Sequence, residues 1–233
     1  MHKIKIAQNT LEAAMKRRGG PRQAFPRIDP SKTVLLIIDM QNYFLEPGMA
    51  AEVPEAREIV PNINRLATSL RAAGGTVAWV ITTFDEETIE NWSVLKDLFS
   101  PQKCQAMIDN LSAGSKGHDL WSGLIVEGND WSIDKNRFSA FIHGSSDLEE
   151  RLRENDIDTV VIAGTLTDVC CETTARDAMM LNFKTVMITD ANAAASDDDH
   201  NNALNAMARL FADVMPTEEM CELLKQQKVK MNE

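Results

Sequence analysis

Two residues of this chain stand where side-chain chemistry is easiest to place: Cys170 and Asp39. Cys170 lies in TVVIAGTLTDVCCETTARDA, residues 159–178. Thr159 to Ala163 is a short β-branched run of the kind that forms a buried parallel strand. Gly164 interrupts it, and Glu172 to Met180 reads as helix. A strand thus turns tightly into a helix, with Cys170 about where the helix begins. Unpaired N–H groups and about half a positive charge at a helix start favour thiolate over thiol, so a cysteine there can attack a carbonyl. The same N–H groups can receive the oxyanion that results. A cysteine acting as a small buried hydrophobe also fits this position. Asp39 ends the apolar run TVLLIID that starts at Thr33. A carboxylate at the C-terminal end of a central strand lies on the edge where α/β folds place their sites. Capping of the next turn is its structural alternative.

The elements that must position these two residues can be read along the chain. Ile59, Ile63, Leu66 and Leu70 form one stripe on a predicted helix from Glu55 to Ala73, ended by Gly74 and Gly75. Thr76 to Phe84 is a second strand. Residues 88–130 are irregular, with a helix expected near Ser100 to Leu111. A connection of that length on the site edge commonly shapes a pocket. A charged helix spans Asp147 to Glu154, with Ser145 or Ser146 as its cap. Lys184 to Asp190 is a further buried strand that ends on an acid. The acidic run Asp197, Asp198, Asp199 suits a helix start, and that helix runs on to Leu210. Phe211 to Met215 and Glu218 to Lys228 give a last short strand and a last helix. Residues 1–30 read as an N-terminal arm, and 31–233 as one domain.

Composition narrows the function class. The chain has 233 residues, 44% hydrophobic and 25% charged, with 24 basic against 35 acidic residues and a net charge of −11. That balance argues against nucleic acid or an anionic membrane as the main partner. Cys104, Cys170, Cys171 and Cys221 lack zinc-site spacing, and the adjacent pair would bridge only with strain. The sequence has no signal-peptide pattern and no apolar stretch of about 18 residues, so a reducing cytoplasm is expected. No GxGxxG or P-loop motif points to a nucleotide.

The turn G-T-L-T-D-V-C-C-E-T-T-A-R-D-A resembles the nucleophile motif of the isochorismatase-like cysteine hydrolases, which include nicotinamidases, N-carbamoylsarcosine amidohydrolase and ureidoacrylate amidohydrolase. Asp39, Gln41, Phe44, Pro47 and Gly48 follow the family's D-x-Q-x-x-F and Pro-Gly pattern. Lys135, Phe138, Ser139, Ala140 and Phe141 follow its K-x-x-F-S-A-F segment. Without that context Lys135 would read as solvated surface.

The resemblance implies a three-layer α/β fold, with roughly six parallel strands and helices on both faces. It implies a triad of Asp39, Lys135 and Cys170, with the N–H groups of Leu166 and Cys170 as oxyanion hole and a cis peptide at Thr165–Leu166. The family spacing G-x-x-T-x-x-C selects Cys170 over Cys171. Phe44, Phe84, Trp121 and Phe138 are expected as pocket walls, and Gln41 and Asn42 as polar substrate contacts. The expected activity is C–N bond hydrolysis of a small amide, carbamoyl or ureido substrate through a thioester, without a cofactor, in a homodimer or larger homo-oligomer. Where nicotinamidases carry an Asp-x-His metal motif, this chain has Phe84, Asp85, Glu86 and Glu87. That departure counts against nicotinamidase and against a required metal. The alternatives are hydrolysis of another small-molecule bond, as in isochorismatase itself, or a non-catalytic or redox-sensing role.

Overall fold

The computed structural model describes residues 1–231, with side chains through Gln226. The last two residues of the expected domain, 232–233, lie outside the described residues. Six strands build one sheet: β1 (Thr33–Ile38), β2 (Thr76–Thr82), β3 (Trp131–Lys135), β4 (Thr159–Thr165), β5 (Lys184–Ala193) and β6 (Asp213–Met215). Their order is β3-β2-β1-β4-β5-β6, and every pairing is parallel. The chain builds outward from β1 through β2 to β3, then returns to lay β4 on the other side of β1. The order reverses between β1 and β4, and a crevice opens at such a point at the carboxyl ends of the strands. Asp39 directly follows β1, and Cys170 follows β4 by five residues.

Eleven helices among the described residues cover the sheet: α1 (Gln8–Arg17), α2 (Asn42–Leu45), α3 (Pro54–Glu58), α4 (Val60–Ala72), α5 (Glu86–Asn91), α6 (Ser93–Leu98), α7 (Pro101–Leu111), α8 (Leu148–Glu154), α9 (Glu172–Met180), α10 (Asp197–Ala206) and α11 (Thr217–Met231). β1 is buried at all six positions, and alternation sends its side chains to opposite faces. Leu35 and Ile37 join Ile63, Leu66 and Leu70 of α4 and Leu224 of α11 in one core. Val34, Leu36 and Ile38 join Leu148 and Leu152 of α8 and Ala175 and Ala178 of α9 in the other.

Three elements differ from the sequence-based expectation. The helix expected over 55–73 is broken into α3 and α4, because Pro61 sits in the first turn of α4 and can donate no N–H back along the chain. β5 runs three residues past Asp190, whose carboxylate instead accepts the N–H and hydroxyl of Thr217, each at 2.7 Å, at the start of α11. The connection 88–130 holds parts of three helices rather than one.

The N-terminal segment is tied to α10 by a regular ladder. Asp197, Asn201 and Asn205 recur every four residues and so share one face of that helix. Asp197 accepts the N–H of Lys3 at 3.3 Å. Asn201 accepts from the N–H of Lys5 and donates to the carbonyl of Lys3. Asn205 accepts from the N–H of Ala7 at 2.8 Å and donates to the carbonyl of Lys5 at 3.2 Å. Residues 3, 5 and 7 are thus held through their backbone.

Gly164, which is paired with Ile38, marks a close backbone approach in the sheet. Its φ is +122°, and a Cβ there would lie 2.1 Å from the Ile38 carbonyl oxygen. Both the conformation and the space exclude a side chain. Gly164→Ala is expected to remove about 3 kcal/mol or more of stability, read as a lower urea midpoint. A loss below about 1 kcal/mol would contradict this account of the β1–β4 contact.

Candidate active site

Asp39 leaves β1 with φ +53°, a left-handed conformation that Asp tolerates better than most residues. Its N–H donates to the carbonyl of Val80 at 2.9 Å, which fixes the turn against β2. Its side chain is fully buried. Lys135, the last residue of β3, is 1% exposed, and its Nζ donates to Asp39 Oδ2 at 3.0 Å. Thr82 ends β2 between them, its hydroxyl donating to Asp39 Oδ1 at 2.8 Å and accepting from Lys135 Nζ. The ammonium also donates to the carbonyl of Arg137 at 3.2 Å and lies 3.7 Å from Cys170 Sγ. A buried ion pair needs this many partners to offset its desolvation.

Cys170 sits in a five-residue π turn, Thr167–Cys171, that runs straight into α9. Such turns occur often at functional sites. The Thr165–Leu166 peptide before it is cis. Within the turn, the N–H groups of Val169 and Cys171 both donate to the Leu166 carbonyl, at 3.2 and 3.1 Å. Behind the turn, the Thr167 hydroxyl pairs with His200 Nδ1 at 2.8 Å, while His200 Nε2 lies 3.0 Å from the Thr189 carbonyl. A carbonyl only accepts, so Nε2 carries the proton and Nδ1 accepts from Thr167. His2 stacks on this ring with centroids 4.5 Å apart. The arm therefore reaches the back of the nucleophile turn.

Burial opposes the thiolate that a helix start favours. Burial pushes the Cys170 thiol well up, and the Asp39 carboxylate raises it further against the pull of Lys135. Burial alone would lower the Lys135 ammonium, but the charges of Asp39 and Cys170 outweigh it, and its pKa is raised.

A cavity of about 190 Å³ opens beside Cys170. Leu166, Val169 and Cys170 form one wall, and Thr82, Phe84 and Phe138 form a second. Tyr43 and Phe44 of α2, with Ala51, form a third, while Phe99 with Met107 and Leu111 of α7 closes the far side. Of the residues expected from the sequence, Phe44, Phe84 and Phe138 line this cavity. Gln41, Asn42 and Trp121 do not. Gln41 is fully buried and clamps Thr82 through both backbone groups, at 2.9 and 3.0 Å, while also donating to the carbonyl of His118. Asn42 donates to the Lys116 carbonyl at 2.8 Å. The N–H of Trp121 donates to the Met40 carbonyl at 2.9 Å, and its ring packs on the core. Sequence reasoning missed Tyr43, Phe99, Met107, Leu111 and Val169 as lining, and Thr82 as the bridge between acid and base. For Thr82 a signal existed: it is the polar residue at a strand end between the two charged strand ends.

The stretch Asp85–Glu87 does not fit a metal. Asp85 caps α5 by accepting the Thr88 N–H at 2.8 Å, Glu86 and Glu87 are exposed, and among the described residues no group of three His, Cys, Asp or Glu is arranged to hold an ion.

Fold and site define an α/β protein of the cysteine-hydrolase type, with a carboxylate, an ammonium and a thiol gathered at the switch point. The family model described as the isochorismatase domain matches residues 33–219, and the chain belongs to the isochorismatase family. A probable inactive nicotinamidase of Arabidopsis thaliana is 36% identical over 170 residues, covering 72% of this chain and 84% of that one. A cysteine hydrolase from Pseudomonas syringae pv. phaseolicola superposes with a TM-score of 0.79 at 29% identity, covering 88% of this chain and 97% of that one. N-carbamoylsarcosine amidase from Thermoplasma acidophilum gives a TM-score of 0.64 at 25% identity, covering 80% and 97%.

Two stability measurements test the electrostatics. Lys135→Met leaves the Asp39 carboxylate buried without its cation, and is expected to cost roughly 3–5 kcal/mol in urea unfolding. Burial, then the neighbouring His2, pushes His200 down to about 4 from 6.5. As pH falls from about 6.5 to 4, the unfolded chain takes up that proton before the folded one does. Stability is therefore full above 6.5 and falls by about 3 kcal/mol by pH 4 through this group alone. Unfolding titrations at several pH values should show this slope, reduced in His200→Gln.

Proposed function

We infer that this protein hydrolyses a C–N bond of a small amide, carbamoyl or ureido compound through a Cys170 thioester. The observation that carries this reading is the buried contact of Lys135 with Asp39 and Cys170, beside a cavity that Cys170 lines. Because burial disfavours the thiolate, attack and deprotonation go together. Cys170 Sγ bonds to the substrate carbonyl carbon while its proton passes to Asp39. Lys135 holds Asp39 in place and lies close enough to Sγ to stabilise negative charge as it develops there. The N–H groups of Leu166 and Cys170 receive the carbonyl oxygen as it becomes an oxyanion. Collapse breaks the C–N bond, and Asp39 returns the proton to the departing nitrogen. Water, deprotonated by Asp39, then attacks the thioester and releases the acid and the thiol.

Cys170, not Cys171, is assigned the attack. Cys170 borders the cavity, whereas Cys171 is fully buried and absent from its lining. All four cysteines are free, which suits a reducing compartment, and we assign the protein to the cytoplasm as a homodimer or larger assembly. Among the described residues no helix is long and apolar enough to cross a membrane. A non-catalytic role is the second reading, favoured by the name of the Arabidopsis relative.

Ammonia release from a panel of amides, carbamoyl compounds and ureido acids separates the two. Cys170→Ala is expected to lose turnover by a factor of about 10⁴ or more, while Cys171→Ala retains most of it. Full activity in Cys170→Ala would refute the mechanism, and no release from any compound would favour the non-catalytic reading.

A further inference from the structure

The walls of the cavity beside Cys170 carry little that could hold a charged or strongly polar group. Among its twelve lining residues there is no charged side chain, no amide and no imidazole. Apart from the cysteine, the polar side chains are the hydroxyls of Thr82 and Tyr43, and that of Thr82 is engaged by Asp39 and Lys135. Lys135 itself is buried behind the lining, with its ammonium directed to Asp39, Thr82, the Arg137 carbonyl and Cys170 Sγ. The cation nearest in sequence to Phe138 is Arg137, which lies over the Trp92 ring at 4.9 Å and donates to the Asn136 carbonyl. A carboxylate drawn into this space would leave water without a counter-charge, at a cost of several kcal/mol.

From this the geometry points to a substrate whose acyl group is an uncharged hydrocarbon, aliphatic or aromatic, attached to a carboxamide. The volume of about 190 Å³ leaves room for a small acyl group. Ureido acids and carbamoyl amino acids, whose free carboxylates need a cation, are excluded from this pocket. The inference rests on the hydrolase reading for the reaction, but on the cavity walls for the selectivity.

The test pairs each neutral amide with a charged counterpart of similar length: hexanamide with adipamate, and benzamide with 4-carbamoylbenzoate. Ammonia release gives kcat/KM for the intact protein, and calorimetry gives binding to Cys170→Ala. Hexanamide and benzamide should each exceed their partners by about 100-fold in kcat/KM or in affinity. Met107→Lys places an ammonium on the half-buried α7 wall and should narrow or reverse that ratio. Neutral amides that bind without turning over would uphold the pocket assignment while refuting the hydrolase reading. Equal or better use of the carboxylates, or no binding of either neutral amide, would overturn the inference.

Discussion

A fully buried ion pair between Asp39 and Lys135 is the constraint to which this sheet answers. Two charges held 3.0 Å apart without water persist only where the surrounding backbone and hydroxyls satisfy what is left of them. The carboxylate follows β1, the ammonium ends β3, and the strand between supplies the Thr82 hydroxyl that joins them. Register does the rest, since Thr82 pairs with Lys135 and Ile38 with Val80. Gln41 then grips the backbone of Thr82 from the following turn. Each partner is thus held by a strand end, a part of the fold that moves little.

On the other side of β1, a single glycine governs the approach of the cysteine. Gly164 lets β4 lie against Ile38, and the chain then swings through the π turn to carry Cys170 to within 3.7 Å of the ammonium. The same tight closure removes the water that would solvate a thiolate. Burial there disfavours a thiolate at Cys170.

Much of this was legible in the residues, for physical reasons that differ from place to place. Asp39 and Cys170 stood out because apolar strands with abrupt polar ends mark the active edge of an α/β sheet. Lys135 did not, since a lysine between an acid and an arginine looks solvated unless the context of its neighbours is recognised. Gln41 lies beside Asp39 in sequence, yet its carboxamide is used by the Thr82 backbone, and the Trp121 ring packs on the core, neither of which residue type can reveal. The helix break at Pro61 was written in the chain and overridden in the reading by the apolar stripe on both sides of it. The long connection before β3 was recognisable as a pocket-former, but which of its side chains turn inward, Phe99 and Met107 among them, depends on how its helices pack.

The ladder between the N-terminal segment and α10 has an outcome of another kind. Residues 3, 5 and 7 are gripped through their amides and carbonyls by Asp197, Asn201 and Asn205, so the side chains of Lys3 and Lys5 stay outside the contact and exposed. That grip does not depend on the identity of their side chains, whereas His2, stacked on His200, and Ile6, packed on the core, engage through theirs. In related chains the mark of such an arm would therefore be found two hundred residues away from it, as carboxamides or carboxylates at every fourth position of the helix that receives it.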